Sequence, residues 1–384
     1  MNNPAMRFKR DDGTVFPDWN SSEIGNVADT CSGGTPSTSV SEYWDGPIQW
    51  LTPTEINSKY VHNSKRTITS AGIANSSAKL LPIGSLLLTT RATIGACSIN
   101  NFDGDVSTNQ GFQSLICKSS LFNEYAYYAI TRDKFQKELI KHSSGSTFLE
   151  ISPKNLKKLP IPIPCLEEQQ KIASFFSTLD QKIELNERKI EALEKLKKGV
   201  MQQIFNQKIS FHCDSGQKFE PWHEAKLKLF FAKISSGKSQ KSKNGTYPLY
   251  GATGVIGKTN DDPYDGEKIL VARVGSIGKV NFITESVGIS DNTLILSQPN
   301  PGLNLKWLFF YFENFELTKL SSGSSQKLIT STQLKELSVY MPCIEEQQKI
   351  SALFSSLDNK IKLFKHRNLL LHQLKRGLMQ QMFV

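Results

Sequence analysis

The stretch PCLEEQQKIASFFSTLDQKI occupies residues 164–183, and a close copy of it, PCIEEQQKISALFSSLDNKI, occupies residues 342–361. The copies are offset by 178 residues (342 − 164), and the match continues without a gap in both directions. It runs from the SSGS segments at Ser143 and Ser321 to the segments MQQIF and MQQMF. A repeat of this length indicates a duplicated structural unit. We therefore expect two halves, each with a variable block followed by a constant block.

Both constant blocks have the pattern of a long helix that pairs with another helix. Acidic pairs stand near the start of each block, at Glu167-Glu168 and Glu345-Glu346. Negative side chains are favoured there because the amino end of a helix is electrically positive. The apolar positions that follow alternate steps of four and three, as the seam of a coiled coil does. About 40 residues at ~1.5 Å each predict two rods of roughly 60 Å.

The seam residues predict how the two rods pair. In an antiparallel coiled coil, the residue numbers of two facing positions add up to a constant. A sum of 554 places Asn186 opposite Asn368. The same sum places Ile190 opposite Phe364. A buried asparagine that meets another fixes the register, because any slip leaves each amide against hydrocarbon. The alternative is that both asparagines are solvated at the edge of the seam.

The variable blocks have the pattern of mixed α/β globules. Short β-rich runs are broken by Gly, Asn and Asp, and an amphipathic stretch precedes each SSGS segment. We expect an α+β protein with an internal repeat, in which two globules are separated by two long helices that form an antiparallel coiled coil. The predicted segments are head 1 (residues 1–162), a first spacer helix (163–206), head 2 (207–341) and a second spacer helix (342–384).

Composition narrows the class of partner and the cellular compartment. The chain has 46 Lys and Arg against 36 Asp and Glu, and this surplus of +10 makes a polyanion a plausible partner. No apolar run approaches the ~20 residues of a membrane span, and the first residues, MNNPAMRFKRDDG, lack the apolar core of a secretory signal. The six cysteines never form a CxxC pair. We expect a cytoplasmic protein without membrane contact, disulfides or a metal site.

Catalytic motifs are present only as fragments. Gly237-Lys238-Ser239 resembles the end of a phosphate-binding loop, but Ala232 stands where that loop requires glycine. The sequence DDPY at residues 261–264 is one residue short of an adenine-methyltransferase signature and is more typical of a turn. We predict no catalytic residue and no cofactor bound by this chain. A self-sufficient nuclease or methyltransferase is an alternative for which the sequence offers no motif.

With no catalytic motif, the sequence favours a binding function, and basic residues in flexible loops are the first candidates for contact with DNA. The loop KISSGKSQKSKNG contains four lysines and no acidic residue, which suits contact with phosphates, although an ordinary solvated loop has the same pattern. Arg91 and Arg273 occupy equivalent places after an apolar strand in each half. An arginine there can bind guanine or phosphate with two hydrogen bonds, or form an internal ion pair.

Amides and two further cations are weaker candidates. Paired amides can serve adenine edges in DNA, or they can cap turns. The full set of candidate DNA-binding residues is Lys65, Arg66, Arg91, Asn109, Gln110, Lys233, Lys238, Lys241, Lys243, Arg273 and Asn292.

These recurring segments carry a family resemblance that covers essentially the whole chain. The marks are FPDW ending at Trp19, FEPW ending at Trp222, GGTPS from Gly33, the SSGS segments and the duplicated P-C-[LI]-EEQQKI helix start. With them the chain resembles the specificity subunit of type I restriction-modification systems. The duplicated helix start, separated by variable globules, is the most specific of these marks.

The resemblance implies a function for each segment. Each head is expected to be a target recognition domain for one half of a bipartite double-stranded DNA sequence. The two helices are expected to act as spacer and as dock for two modification subunits. Those partners bind S-adenosylmethionine and methylate adenine, and separate restriction motor-nuclease subunits cut unmodified DNA. The alternatives are a stand-alone bipartite DNA-binding protein and a coiled-coil scaffold without restriction-modification partners.

One run distinguishes the two heads. The sequence GATGVIG at residues 251–257 has no counterpart in residues 1–162. This difference predicts that the heads belong to different recognition classes and read unrelated half-sites.

Overall fold

The computed structural model describes residues 3–145, 149–321 and 327–383. The last residue of the first SSGS segment and most of the second segment lie outside the described residues. Within those three ranges, no helix combines the length and the apolar character that crossing a membrane requires.

Contacts along the chain divide it into two compact units. Unit 1 comprises Met1–Leu185 and Arg367–Val384, and unit 2 comprises Asn186–His366. Each unit therefore contains one head and part of each of the two repeated stretches. This grouping differs from the four predicted segments, whose boundaries stay a prediction.

Head 1 is built from two sheets and a separate strand pair. The pair joins the first strand of the head to its last strand, so that the two ends of the head lie together. The helices are α1 (Ile24–Val27), α2 (Ser70–Ala74), α3 (Asn123–Thr131), α4 (Asp133–Lys141) and α5 (Pro153–Lys157). The strands are β1 (Asn20–Glu23), β2 (Ala28–Ser32), β3 (Trp44–Leu51), β4 (Tyr60–Val61), β5 (Arg66–Ile68), β6 (Leu86–Leu88), β7 (Cys97–Asn100), β8 (Val106–Thr108), β9 (Gln113–Cys117) and β10 (Pro160–Ile163).

Strand β6 shows why head 1 folds around two sheets. A five-stranded sheet has the order β2-β9-β6-β7-β4, a three-stranded sheet has the order β5-β3-β8, and β1 pairs antiparallel with β10. Leu86 and Leu88 join the core that contains Tyr125, whereas Leu87 joins a second core around Phe112. A run of leucines is therefore buried on both faces, which is typical of a strand in the middle of a domain.

Head 2 repeats this architecture after the first long helix, α6 (Leu166–Phe205). Its larger sheet has four strands in the order β12-β18-β15-β16, its smaller sheet has the order β14-β13-β17, and β11 pairs with β19. In both heads the central strand of the smaller sheet has one antiparallel and one parallel neighbour. The elements are β11 (His223–Lys226), β12 (Ser235–Ser236), β13 (Tyr247–Gly251), β14 (Gly254–Thr259), β15 (Lys268–Ala272), β16 (Val280–Ile283), β17 (Gly288–Ile289), β18 (Thr293–Ser297), α7 (Leu305–Asn314), α8 (Ser331–Glu336), β19 (Ser338–Met341) and the second long helix, α9 (Ile344–Met382).

The hairpin β13–β14, which contains the GATGVIG run, corresponds in its sheet to the pair β3–β5 of head 1. The two heads therefore share one fold despite this difference in sequence. That they read unrelated half-sites stays a prediction.

In unit 1, the first half of α6 packs against the last part of α9. Lys375 forms an ion pair with Asp180 at 2.6 Å, and the rings of Phe176 and Phe383 lie 6.1 Å apart. Residues near the start of one helix thus contact residues near the end of the other, so the helices run antiparallel.

Unit 2 contains the equivalent contacts. Lys197 forms an ion pair with Asp358 at 2.7 Å, and the rings of Phe205 and Phe354 lie 6.2 Å apart. Lys197 and Asp358 are the 178-residue counterparts of Lys375 and Asp180, with the helix that supplies each partner exchanged. These contacts confirm the predicted α+β fold with two long antiparallel helices and an internal repeat.

The predicted seam asparagine Asn186 is buried, with 5% of its surface exposed. Its side-chain amide donates a hydrogen bond to the carbonyl oxygen of Phe364 at 2.9 Å. The pairing of Asn186 with Asn368 and of Ile190 with Phe364 stays a prediction.

Candidate nucleic-acid interface

In head 1, three loops meet at one edge of the larger sheet. They follow β2, follow β6 and precede β9. The amide of Gly34 donates to the carbonyl of Thr108 at 2.8 Å, and the amide of Thr90 donates to the carbonyl of Gly111 at 2.8 Å. A Cβ atom on Gly33 would come within 2.0 Å of the carbonyl oxygen of Asn109, so the GGTPS loop needs glycine to approach this closely. We call this edge of each head its loop edge.

The head 1 candidates at the loop edge are largely held by neighbouring groups. The Arg91 guanidinium donates to the carbonyl of Gln110 at 2.8 Å and lies 3.7 Å from the carboxylate of Glu150, with 41% of the side chain exposed. The Asn109 side chain accepts from the amide of Gly111 at 2.8 Å, which is a turn cap. The Gln110 side chain accepts a hydrogen bond from the hydroxyl of Thr35. Arg91 thus forms an internal ion pair and keeps part of its surface open to solvent.

Head 2 has the same loop edge with a different set of side chains. The amide of Gly237 donates to the carbonyl of Thr293 at 3.1 Å, and the amide of Arg273 donates to the carbonyl of Asn292 at 3.0 Å. These bonds bring the loops that carry Lys238, Arg273 and Asn292 together. The Arg273 Nε atom is buried and has no hydrogen-bond partner among the described residues.

Arg91 and Arg273 do not occupy equivalent places, which corrects the expectation from sequence. The amide of Ile151 donates to the carbonyl of Thr90, whereas the amide of Ile329 donates to the carbonyl of Arg273. The position equivalent to Arg273 is therefore Thr90, one residue before Arg91. The offset places Arg91 in a bend, whereas Arg273 directly follows β15, so the two arginines can reach different groups. The sequence carried a signal, since the Ile-Gly pair found in both halves ends four residues after Arg91, at Gly95, and five residues after Arg273, at Gly278.

Four of the remaining cations lie beside the smaller sheets, and the fifth, Lys233, precedes a strand of the larger sheet of head 2. In head 1, Arg66 on β5 stacks over the ring of Trp44 at 3.5 Å, and the backbone amide of Lys65 donates to the Glu55 carboxylate at 2.7 Å. In head 2, the amide of Ser242 donates to the carbonyl of Lys258 at 2.8 Å, so the segment between Lys241 and Lys243 runs along β14. Lys233 is exposed just before β12.

Ten of the eleven candidates therefore fall into two groups, and Lys233, which precedes β12 of the larger sheet, belongs to neither. Arg91, Asn109, Gln110, Lys238, Arg273 and Asn292 belong to the loop edges, and Lys65, Arg66, Lys241 and Lys243 belong to the smaller sheets. Their role in DNA binding stays a prediction.

Sequence reasoning missed the role of the second glutamate in each EEQQ segment. Glu168 is buried and accepts hydrogen bonds from the Arg7 guanidinium at 2.7 Å and from the Trp19 indole at 2.9 Å. Gln169 accepts from the amide of Phe122 at 2.8 Å, which joins the start of α6 to the loop before α3. The FPDW mark and the EEQQ mark thus meet in space and attach the head to the long helix.

Unit 2 repeats this junction without the arginine. Glu346 accepts from the Trp222 indole at 3.1 Å and from the amide of Phe211 at 3.4 Å. Ser210 precedes Phe211 as Arg7 precedes Phe8. Burial raises the pKa of Glu346, and the two hydrogen bonds that it accepts oppose this rise.

Comparison with known protein families supports the division of the chain into two similar halves. The family profile described as "Type I restriction modification DNA specificity domain" matches residues 17–195 and 220–373 of this chain. The chain belongs to this family. It is a type I restriction-modification specificity subunit, and its two matched regions correspond to the two halves of the repeat.

Two relatives are similar to this chain in sequence, and one solved structure is similar to it in fold. The MjaIX specificity subunit of Methanocaldococcus jannaschii is 39% identical over 193 residues, which cover 49% of this chain and 44% of that relative, so under half of it is matched. The EcoprrI specificity subunit of Escherichia coli is 25% identical over 358 residues, covering 87% and 86%. The crystal structure of an S subunit from M. genitalium superimposes with a TM-score of 0.67 at 20% identity, covering 100% and 99%, and shows the same fold.

Proposed function

We propose that this specificity subunit reads a bipartite double-stranded DNA sequence, with head 1 on one half-site and head 2 on the other. The observation that carries the proposal is the duplication itself. One fold occurs twice, and each copy is attached to a long helix through its own buried glutamate. Two similar reading heads in one chain act like the two protomers of a dimeric DNA-binding protein, whose geometry sets the spacing of half-sites.

The loop edges are the surfaces that we propose to face DNA. They gather loops from three segments in each head, and DNA-contacting residues are commonly found in loops that a rigid sheet supports. In head 2, the loop edge offers an ammonium group from Lys238, a guanidinium group with several hydrogen-bond donors from Arg273 and a side-chain amide from Asn292. Phosphate contacts would position the duplex, and contacts to base edges would specify the sequence.

We propose that two modification subunits dock on the long helices. Both helices expose leucines to solvent, which is costly in an isolated chain and is typical of a surface that another protein covers. These exposed leucines are Leu185, Leu196, Leu363, Leu369, Leu370 and Leu374.

In this proposal the specificity subunit itself performs no chemistry. S-adenosylmethionine binding and adenine methylation belong to the modification subunits, and cutting belongs to restriction motor-nuclease subunits that join through the complex. The assembly acts on DNA in the cytoplasm. We propose these components because the chain belongs to the family of type I specificity subunits.

A methylome of the host with and without the gene tests the proposal. We expect deletion to remove one bipartite adenine-methylation motif and to leave other motifs unchanged. Exchange of residues 207–341 for head 2 of another specificity subunit should change one half of the motif only. A methylome that is the same in both strains would refute the proposal, and so would methylation by the isolated chain with S-adenosylmethionine.

A further inference from the structure

The β13–β14 hairpin of head 2 exposes an apolar pair at its tip. Val255 is 59% exposed and Ile256 is 41% exposed, although both are β-branched residues that sheets usually bury. The turn at Gly254 has a φ of +122°, which favours glycine, and Gly251 leaves space that the Ile256 side chain occupies. The hairpin is therefore built to present these two side chains outward.

Lysines surround this apolar tip. The Lys241 side chain lies against Gly257, where an added Cβ would come within 2.8 Å of its Cε atom. The Lys279 ammonium donates to the carbonyl of Thr253 at 3.1 Å, and Lys258 is exposed on β14 itself. In the sequence, residues 233–260 contain five lysines and no acidic residue, whereas Lys226 and Lys228 before this range are paired with Glu336.

This combination of shape and charge favours DNA over a protein partner. A two-stranded ribbon fits the major groove of B-DNA, whose edges are lined by phosphates that lysines neutralise. Inside the groove, thymine carries the only methyl group, and apolar side chains contact it. A protein partner would have to supply an acidic rim around an apolar centre.

We propose that the β13–β14 hairpin enters the major groove of the half-site read by head 2, where Val255 and Ile256 select thymine through its methyl group. This inference rests on the proposed function and adds a specificity element to it. The lysines around the tip hold the ribbon in the groove by phosphate contacts.

Methylome sequencing of hosts that carry the full complex with Val255→Ser and Ile256→Ser tests the inference. We expect discrimination at one or two adjacent thymine positions of one half-site to fall on the order of fivefold per methyl contact, with the other half-site unchanged. The matched control is Leu229→Ser, which removes a 61% exposed leucine of the same head outside the hairpin, and it should leave the motif as in the wild type.

A duplex assay identifies the contact. Replacing thymine by uracil at the relaxed position should weaken binding of the wild-type complex and should leave binding of the double variant unchanged. The inference would be overturned if the double variant methylated the same motif as the wild type. It would also be overturned if the double variant lost all methylation while its Tm equalled that of the wild type. If the double variant unfolds, Val255→Ala is subject to the same criteria. Absence of any bipartite motif in the wild-type host would instead refute the proposed function.

Discussion

Single residues decide how the two halves of this duplicated chain differ. Glu168 is buried with a cation, Arg7, whereas Glu346 is buried with hydrogen-bond donors only. An unpaired buried carboxylate is costly in its charged form, and removing one partner of a buried ion pair is costly as well. We therefore expect neutralisation of this glutamate to affect stability differently in units 1 and 2.

We predict that Glu168→Gln lowers the free energy of unfolding by roughly 3 kcal/mol, because it leaves Arg7 without its buried partner. Glu346→Gln should not destabilise at neutral pH, since it removes a charge that burial disfavours and keeps an acceptor for Trp222. Urea unfolding of the full chain, followed by tryptophan fluorescence, compares the two variants. Equal losses of stability in both would contradict this assignment.

The contribution of Glu346 to the pH dependence of stability follows from the direction of its pKa shift. The pKa of Glu346 is raised in the folded state, so its stabilising contribution is present below the unfolded pKa and is lost as pH rises through the folded pKa. Unfolding measured from about pH 4 upward should show this loss in the wild type. Glu346→Gln should remove that part of the pH profile, and an unchanged profile would be inconsistent with the buried charge.

Arg273 is the arginine that we expect to contribute more to DNA binding than Arg91. Its Nε atom has no hydrogen-bond partner in the described part of the chain, whereas Arg91 is bonded to Gln110 and lies near Glu150. Arg273→Ala should weaken binding of the assembled complex to its target duplex on the order of 10- to 100-fold. Fluorescence anisotropy at several salt concentrations measures this effect, with Arg91→Ala as the comparison.

The salt series also separates the two kinds of contact. Loss of a phosphate contact reduces the salt slope by about one, whereas loss of a base contact relaxes one position of the sequence. Arg273→Lys should recover a phosphate contact and not a bidentate base contact. Equal affinities for wild type and Arg273→Ala would show that this residue does not touch DNA.

At the scale of elements, each long helix contributes residues to both units. Their antiparallel course follows from Lys375 and Asp180 in unit 1 and from Lys197 and Asp358 in unit 2. The register predicted from the seam places Asn186 opposite Asn368, which requires that the residue numbers of facing positions add up to 554. Registers displaced by one heptad would leave both amides facing other residues.

Cysteines at positions 186 and 368 should therefore crosslink under mild oxidation. The displaced register with an index sum of 561 would place residue 186 opposite Lys375 (561 − 186). Two double variants distinguish the registers. One combines Asn186→Cys with Asn368→Cys, and the other combines Asn186→Cys with Lys375→Cys. Mass spectrometry without reduction shows which pair forms a disulfide. Crosslinking of the second pair and not the first would show that the predicted register is wrong.

At the scale of the whole molecule, the helices are expected to set the distance between half-sites. Rods of roughly 60 Å correspond to about 17 base pairs at ~3.4 Å each. Heads that each read a few base pairs would leave an unread gap between the half-sites. The surplus of +10 divides into +2 for head 1, 0 for residues 163–206, +4 for head 2 and +4 for residues 342–384. No segment is strongly basic, which is consistent with two modest reading surfaces that bind DNA together with partner subunits.

Insertion of one heptad into both helices should lengthen the unread gap by about three base pairs, since seven residues add roughly 10 Å. The half-sites themselves should not change, and methylome sequencing measures both quantities at once. A heptad inserted into one helix only breaks the seam and should abolish methylation. A gap of unchanged length in the double insertion would refute the idea that the helices act as a ruler.

The sequence by itself determined the features that depend on neighbouring residues and on repetition. The heptad seam predicted α6 and α9, the 178-residue repeat predicted two heads, and the repeated helix start indicated the family. These features are local in the chain, because helical periodicity and a duplicated motif are visible without knowing which distant residues meet.

Only the tertiary structure decided which distant residues meet. Trp19 and Glu168 are 149 positions apart, and their hydrogen bond exists because β1 and β10 bring the two ends of head 1 together at the start of α6. The one-residue offset between Arg91 and Arg273 likewise emerged from backbone hydrogen bonds of the folded loops. Contacts of this kind depend on how whole sheets pack, and packing responds to all side chains of a core at once. The sequence therefore predicts the elements and the family, and the fold decides the partners of each side chain.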